Sequence, residues 1–285
     1  MYISFRDQNL KCMYISINNE LVLKEGANIS VSDLSIQRGY GIFDFLKTLN
    51  NKPIFIQDYF DRFYHSAKEM NLEVNLDRTQ LYEAILKLIT KNNIPNSGIK
   101  IILTGGFSDD GYTMVKPNLI IIQTPLNISE ALAEKGLNLV SYNHQRQIPH
   151  VKTIDYLQAI RLQKFVRESN ADDLLYHNNG KVRECPRANF FIITDNEIIT
   201  AKNEILNGIT RKKILGLNIP NYTFAERDFT LDELYNAKEA FISSSTKNAF
   251  PVNQVDEKLI GDGKNSITKL INDKLLALIE LDQNS

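Results

Sequence analysis

Cysteine is almost missing from this chain. Cys12 and Cys185 are the only two in 285 residues, too few for a disulfide framework or a four-thiolate zinc cage. Net charge is almost missing as well. Lys and Arg number 33 against 34 Asp and Glu, so neither nucleic acid nor an anionic membrane surface would be drawn to it. No apolar run approaches the length of a membrane span, and the start Met1-Tyr2-Ile3-Ser4-Phe5-Arg6 has no basic segment followed by an apolar core. The expectation is a cytoplasmic protein. Internal repeats and low-complexity segments are also absent. What is present is an ordinary globular composition, 43% hydrophobic and 24% charged, in a chain longer than one core usually supports, which implies two domains of roughly 120 to 150 residues.

In the first half, short β-rich runs at Tyr14 to Ile17 and Leu21 to Leu23 flank Asn18-Asn19 and predict a hairpin. Between Val31 and Thr48, Gly39 and Gly41 flank Tyr40, a pattern for a turn entering a strand, with Arg38 at the turn. Phe60, Phe63, Ala67 and Met70 recur at helical spacing, and Arg62 sits beside Phe63. Asp77 with Gln80 is a capping-box pattern ahead of Leu81, Ile85, Leu88 and Ile89, and Asn93 and Pro95 close that helix. Ile99 to Leu103, which contains Lys100, and Leu119 to Ile122 predict paired strands. The glycine-rich loop between them, Thr104 to Pro117, is long for an idle connection. The composition places an N-terminal domain at 1–124, a linker at 125–136 and a C-terminal domain at 137–285.

In the second half, a strand at Leu137 to Tyr142 precedes His150-Val151-Lys152-Thr153-Ile154-Asp155-Tyr156-Leu157, and a helix is predicted in which Tyr156, Ala159, Leu162 and Val166 share a face. Asp173 to Tyr176, a turn at His177 to Gly180 and a return strand from Lys181 to Ile193 predict another hairpin. Glu184 in that mostly apolar strand needs a partner, because an unpaired buried carboxylate is costly. Ile205 to Leu215 reads as a glycine turn opening a helix, a place where exposed amides suit a phosphate. Phe241 to Thr246 is an apolar strand ending in four hydroxyls. Thr230 with Glu233 caps a short helix, and a last amphipathic helix spans Ile267 to Leu278.

Taken together, the segments from Arg38-Gly39-Tyr40-Gly41-Ile42-Phe43-Asp44 to Ser243-Ser244-Ser245-Thr246-Lys247-Asn248-Ala249-Phe250-Pro251-Val252 resemble the class IV aminotransferases, the fold type IV group of pyridoxal 5'-phosphate (PLP) enzymes. The most specific block is Glu184, Asn189-Phe190-Phe191, Ile198-Ile199-Thr200 and Leu206-Asn207-Gly208-Ile209-Thr210-Arg211. Pro186 stands where the family usually has a small residue. The resemblance implies a two-domain α/β (α+β) protein with PLP in the interdomain cleft and a homodimer. It makes Lys152 the lysine that carries PLP and the movable base, and Glu184 the carboxylate under the pyridine nitrogen. Arg62 becomes the phosphate arginine, Ile209 and Thr210 the amide donors to phosphate, Ser245 with Thr246 the hydroxyl donors, and Leu206 the apolar residue against the ring. Tyr156 is the candidate for the phenolic oxygen, although branched-chain enzymes place their tyrosine where this chain has Leu157.

The implied reaction moves an amino group between an amino acid and a 2-keto acid. The D-amino acid enzymes of the family commonly hold the substrate carboxylate with an Arg-x-His pair in the long loop, but Ser108-Asp109-Asp110-Gly111-Tyr112-Thr113 has none. Arg38, Arg183 and, more weakly, Lys100 are the cations expected to replace it, since an arginine fork suits a carboxylate. The pattern looks most like a noncanonical D-amino acid transaminase of the D-alanine or D-glutamate type. A branched-chain L-amino acid aminotransferase, an aminodeoxychorismate lyase and a PLP-binding scaffold without turnover remain as alternatives.

Overall fold

The computed structural model describes residues 13–127 and 135–284, and the chain divides into two units. One comprises Met1–Asn127 with Thr153–Asp155, the other Ile128–Lys152 with Tyr156–Ser285. Cys12 and most of the expected linker, 128–134, lie outside the described residues.

In the first unit, β1 (Tyr14–Ile17) and β2 (Glu20–Leu23) form the expected hairpin. Asn18 and Asn19 both take positive φ, 51° and 69°, the conformation a tight primed turn demands and asparagine tolerates. A short helix α1 (Leu34–Arg38) follows, where the sequence pattern suggested only a turn. Its cause is local: the Asp33 carboxylate accepts from the Ser35 N–H, and Gly39 ends the helix at φ 68°. Then come β3 (Gly41–Leu49), β4 (Lys52–Pro53), α2 (Ile56–Glu69), α3 (Arg78–Asn92), β5 (Ser97–Thr104) and β6 (Leu119–Pro125). Asp77 and Gln80 close a complete capping box on α3. The six strands make an antiparallel sheet in the order β2-β1-β6-β5-β3-β4. Phe60 and Phe63 of α2, Leu81, Ile85 and Leu88 of α3, and Ile42, Leu46, Ile99 and Ile101 of the sheet are fully buried, at roughly 1.5–3 kcal/mol for each large apolar side chain.

The second unit carries β7 (Leu137–Asn143), α4 (Leu157–Arg161), α5 (Gln163–Glu168), β8 (Asp173–Asn178), β9 (Lys181–Val182), β10 (Glu184–Cys185), β11 (Ala188–Ile193), β12 (Glu197–Thr200), α6 (Ile209–Leu215), β13 (Thr223–Glu226), α7 (Leu231–Tyr235), β14 (Glu239–Ser244), β15 (Asn248–Val255), β16 (Lys258–Leu259) and α8 (Ser266–Asn284). Its ten-stranded mixed sheet runs β13-β12-β11-β14-β15-β7-β8-β9, with β10 paired to β11 and β16 to β15. Phe190, Ile192, Ile199, Ala240, Ile242 and Val252 build the core on one face. Register puts Asn189, Phe191 and Ile193 opposite Ser243, Phe241 and Glu239. By strand alternation these residues point to the other face, where the Phe191 and Phe241 rings stack 4.6 Å apart.

Two expectations change here. The single helix from Tyr156 is two short helices meeting at Leu162, the one residue of Tyr156, Ala159, Leu162 and Val166 that is buried. The long return strand from Lys181 is broken, and Pro186 is the reason. Proline has no N–H for the ladder, and at Pro186-Arg187 the chain doubles back so that β10 lies antiparallel on β11, Glu184 facing Asn189.

Candidate active site

The second unit gathers its polar side chains around Glu184. β10 buries this residue to 5% exposure, and three donors converge on its carboxylate. Arg146 Nη1 donates to Oε1 at 3.1 Å, and the Leu206 N–H and Asn189 Nδ2 donate to Oε2 at 3.1 and 3.3 Å. Burial pushes the Glu184 pKa up, while the Arg146 guanidinium, the Leu206 N–H and the nearby Lys152 ammonium pull it back. A carboxylate offers about four acceptor positions, so Oε1 retains room for one more N–H.

Arg146 was not singled out by the sequence. It lies in the irregular segment between β7 and α4, and its two Nη atoms also donate to the carbonyls of Pro149 at 2.9 Å and Val151 at 2.7 Å. One guanidinium thus fixes Glu184 and the backbone immediately before Lys152. The signal that could have found it was the demand of buried Glu184 for a countercharge, combined with a lone arginine six residues ahead of Lys152. Lys152 is half-buried and ends the first segment of this unit. The next residues belong with the first unit, where Thr153 bridges Ile42 and the Ile154 N–H donates to the Gly41 carbonyl at 3.1 Å.

The loop from Ala201 to Gly208 leads into α6. Asn189 Nδ2 holds the Leu206 carbonyl at 2.7 Å, and a Cβ on Gly208 would overlap Asn189 Oδ1, so a larger residue there would push the Asn189 side chain from this position. Gly208 caps α6 without any side-chain hydrogen bond, and Ile209 and Thr210 are buried in the first turn. The amides of that turn are the donors a phosphate would use. Ser243 lies on the same sheet face as Asn189, 2% exposed, with an Oγ that has no hydrogen-bond partner among the described residues. Ser244 and Thr246 hydroxyls lie 3.4 Å apart at the turn out of β14, and Ser245 between them is half-buried. Tyr156 occupies the N-cap of α4 and is half-buried. Uncommitted amides, a buried unpartnered hydroxyl and a carboxylate with an open acceptor position fit a phosphorylated pyridine. Lys152, Glu184, Leu206, Ile209, Thr210 and Ser245 are the residues that would hold it.

Three expected cations have separate surroundings. Arg62 on α2 grips Asp44 of β3 through Nε at 2.9 Å and Nη2 at 2.6 Å and lies over the Tyr59 ring. Arg38, at the end of α1, is exposed. Among the described residues its guanidinium meets only the Gln37 carbonyl, at 3.0 Å, and its Nη2 borders Gly111 of the glycine-rich loop. Lys100 is exposed on β5 above the Phe43 ring. Arg183, by contrast, is 4% exposed and is clasped by Asp228 at 2.9 Å and by Glu204. Two carboxylates neutralise it, which leaves little attraction for a third.

The family model described as amino-transferase class IV matches residues 41–255. The D-alanine aminotransferase of Staphylococcus aureus strain N315 is 31% identical over 261 residues, covering 88% of this chain and 92% of that protein. The D-alanine aminotransferase of Staphylococcus haemolyticus is 29% identical over 258 residues, with the same coverage of both chains. In structure, the branched-chain amino acid aminotransferase of Escherichia coli superposes with a TM-score of 0.87 at 25% identity, over 94% of this chain and 95% of that one. The chain therefore belongs to the class IV aminotransferases, and it is a PLP-dependent transaminase that moves an amino group between an amino acid and a 2-keto acid.

Proposed function

We propose that the amino acid is of the D-alanine or D-glutamate type and that the protein works as a cytoplasmic homodimer. The observation that carries the substrate reading is Arg38. The loop 104–117 has no arginine or histidine, yet the Arg38 guanidinium lies against its Gly111, exposed and without a carboxylate among the described residues. A substrate carboxylate would find there the bidentate partner that the loop itself lacks. Lys100 is the second candidate anchor. The D-alanine aminotransferase relatives favour the same reading.

PLP, when bound, supplies the electron sink for the substrate Cα–H bond. Lys152 Nζ is the base that takes the Cα proton and later returns one, and an amine does this only when neutral. Burial raises the Glu184 pKa, and Arg146 and the Leu206 N–H favour its carboxylate against that burial; as a carboxylate it would stabilise a protonated ring nitrogen. The first-turn amides of α6 and the Ser245 hydroxyl, with Thr246 beside it, would hold the phosphate, and Arg62 is the arginine that would join them. Leu206 would lie against the ring, and Tyr156 would serve the phenolic oxygen.

The test mixes the PLP-loaded protein separately with D-alanine, D-glutamate, L-leucine and L-glutamate and follows the visible cofactor band. Loss with the D-substrates alone is expected. Equal loss with L-leucine would move the assignment to the branched-chain enzymes. No loss with any amino acid would favour a lyase or a scaffold. Arg38→Ala is expected to raise KM for D-alanine by about 10- to 100-fold, the loss of one charge-assisted bidentate contact. An unchanged KM would sink the anchor.

A further inference from the structure

The loop that presents Leu206 to Glu184 is held by side chains from four directions. Arg211 Nη2 donates to the Ala201 carbonyl at 2.9 Å, Gln145 Nε2 to the Glu204 carbonyl at 3.0 Å, and Asn189 Nδ2 to the Leu206 carbonyl at 2.7 Å. The fourth hold is ionic: Arg183 Nη2 grips the Glu204 carboxylate. Arg183 immediately precedes Glu184 and is nearly inaccessible. Its other Nη holds Asp228 at 2.9 Å, and the adjoining backbone is zipped to the same segment by the Val182 N–H on the Phe229 carbonyl at 2.9 Å. Arg183 thus joins the strand that carries Glu184 to the loop that donates to Glu184. Glu204 sits at φ 58°, a left-handed conformation uncommon for glutamate, and its side chain is 45% exposed. A residue in that backbone conformation persists when surrounding contacts over-determine it, and here those contacts are the Arg183 guanidinium and Gln145.

We propose that Arg183 and Glu204 form a latch that positions the 201–208 loop, so that the Leu206 N–H is delivered to the Glu184 carboxylate and Gly208 opens α6 in register for the cofactor phosphate. Arg183 is then a positioning residue and not a contact for the substrate. The two acids on it have different duties. Asp228 neutralises Arg183 from the strand side, whereas Glu204 transmits the hold to the loop. The inference rests on the cofactor assignment above.

The test compares Glu204→Gln with Asp228→Asn in the PLP-loaded enzyme. Both remove one carboxylate from the same guanidinium, but only the first releases the loop. In Glu204→Gln, the peptide covering 201–208 is expected to exchange its amide hydrogens about tenfold faster, and PLP to dissociate with a constant about tenfold higher, the weight of one charge-assisted hydrogen bond. The pH midpoint of the visible cofactor band shifts with them, because Glu184 loses a donor. Asp228→Asn is expected to keep loop exchange and PLP dissociation within about twofold of the parent. Arg183→Lys, which retains charge but loses the fork, should resemble Glu204→Gln. Equal effects of the two acid variants, or no change in either, would overturn the latch. An Arg183→Lys enzyme with raised KM for the amino acid and unaltered PLP dissociation would also overturn it, in favour of a substrate contact. A parent protein that never acquires the cofactor band would overturn both the latch and the cofactor assignment, and that outcome is read before any variant is made.

Discussion

Arg146→Met removes the countercharge of a buried carboxylate while keeping most of the side chain's bulk. Arg146 makes three hydrogen bonds, one to Glu184 and two to backbone carbonyls. Removing one partner of a buried pair costs about 3–5 kcal/mol, and the Arg146 side chain is 19% exposed against 7% for Glu184, so about 3 kcal/mol is expected. With a urea slope of about 3 kcal/mol per molar, the unfolding midpoint falls by about 1 M. The loss also depends on pH. Burial already holds the Glu184 pKa above the ordinary value of 4.5, so the folded chain binds this proton more tightly than the unfolded one, and stability drains away as pH rises above that value. Without Arg146 the folded pKa climbs further. The variant should therefore trail the parent more at pH 8 than at about pH 5, where protonation supplies what the guanidinium no longer does. A double variant with Glu184→Gln should recover about 1–3 kcal/mol relative to the sum of the single changes. Urea unfolding of the purified chain at the two pH values decides the matter. An unfolding free energy within about 0.5 kcal/mol of the parent at pH 8 would refute the reasoning.

Gly208→Ala places a methyl against Asn189 Oδ1 and should displace the start of α6, raising the PLP dissociation constant at least about tenfold; equilibrium dialysis would show it. Lys47 is 7% exposed, and burial pushes its pKa down to about 8. The folded chain thus binds this proton less tightly than the unfolded one, and the burden is greatest below pH 8 and fades toward about 10.5. Relative to the parent, Lys47→Met should accordingly gain more stability at pH 7 than at about pH 10, by up to ~3 kcal/mol, as urea unfolding at the two pH values would show. Asp33 accepts from Thr104, Ser35 and Asn118; burial alone would raise its pKa, but these hydrogen bonds outweigh it and hold the value below 3.8. Asp33→Asn should cost about 1–3 kcal/mol at pH 7 and expose the 105–117 loop to protease, and the stability gap should narrow as pH falls through the lowered value.

Much of the local structure was legible because its causes are local. The Asn18-Asn19 turn, the capping box of Asp77 and Gln80 and the amphipathic stripe of α2 depend on residues a few positions apart, and each stands where the pattern placed it. The cofactor class was legible for another reason. Lysine, buried glutamate, the glycine turn and the hydroxyl-rich strand end recur in one order along the chain, and the family match spans them. Other features required the tertiary structure, since each depends on which distant segments meet. Pro186 in a run of strand-forming residues does not announce that the chain will fold back and set Glu184 opposite Asn189. Arg146 looks like any exposed arginine until β7 and β10 bring it to Glu184. Arg183 read as a candidate substrate cation because its charge is written in the sequence, whereas Asp228 and Glu204, 45 and 21 residues away, become its neighbours only on folding. Composition and spacing determine which chemistry a chain can offer. Which charges are already neutralised is decided by long-range packing, because the energy of an ion pair depends on a separation and a burial that exist only in the folded state.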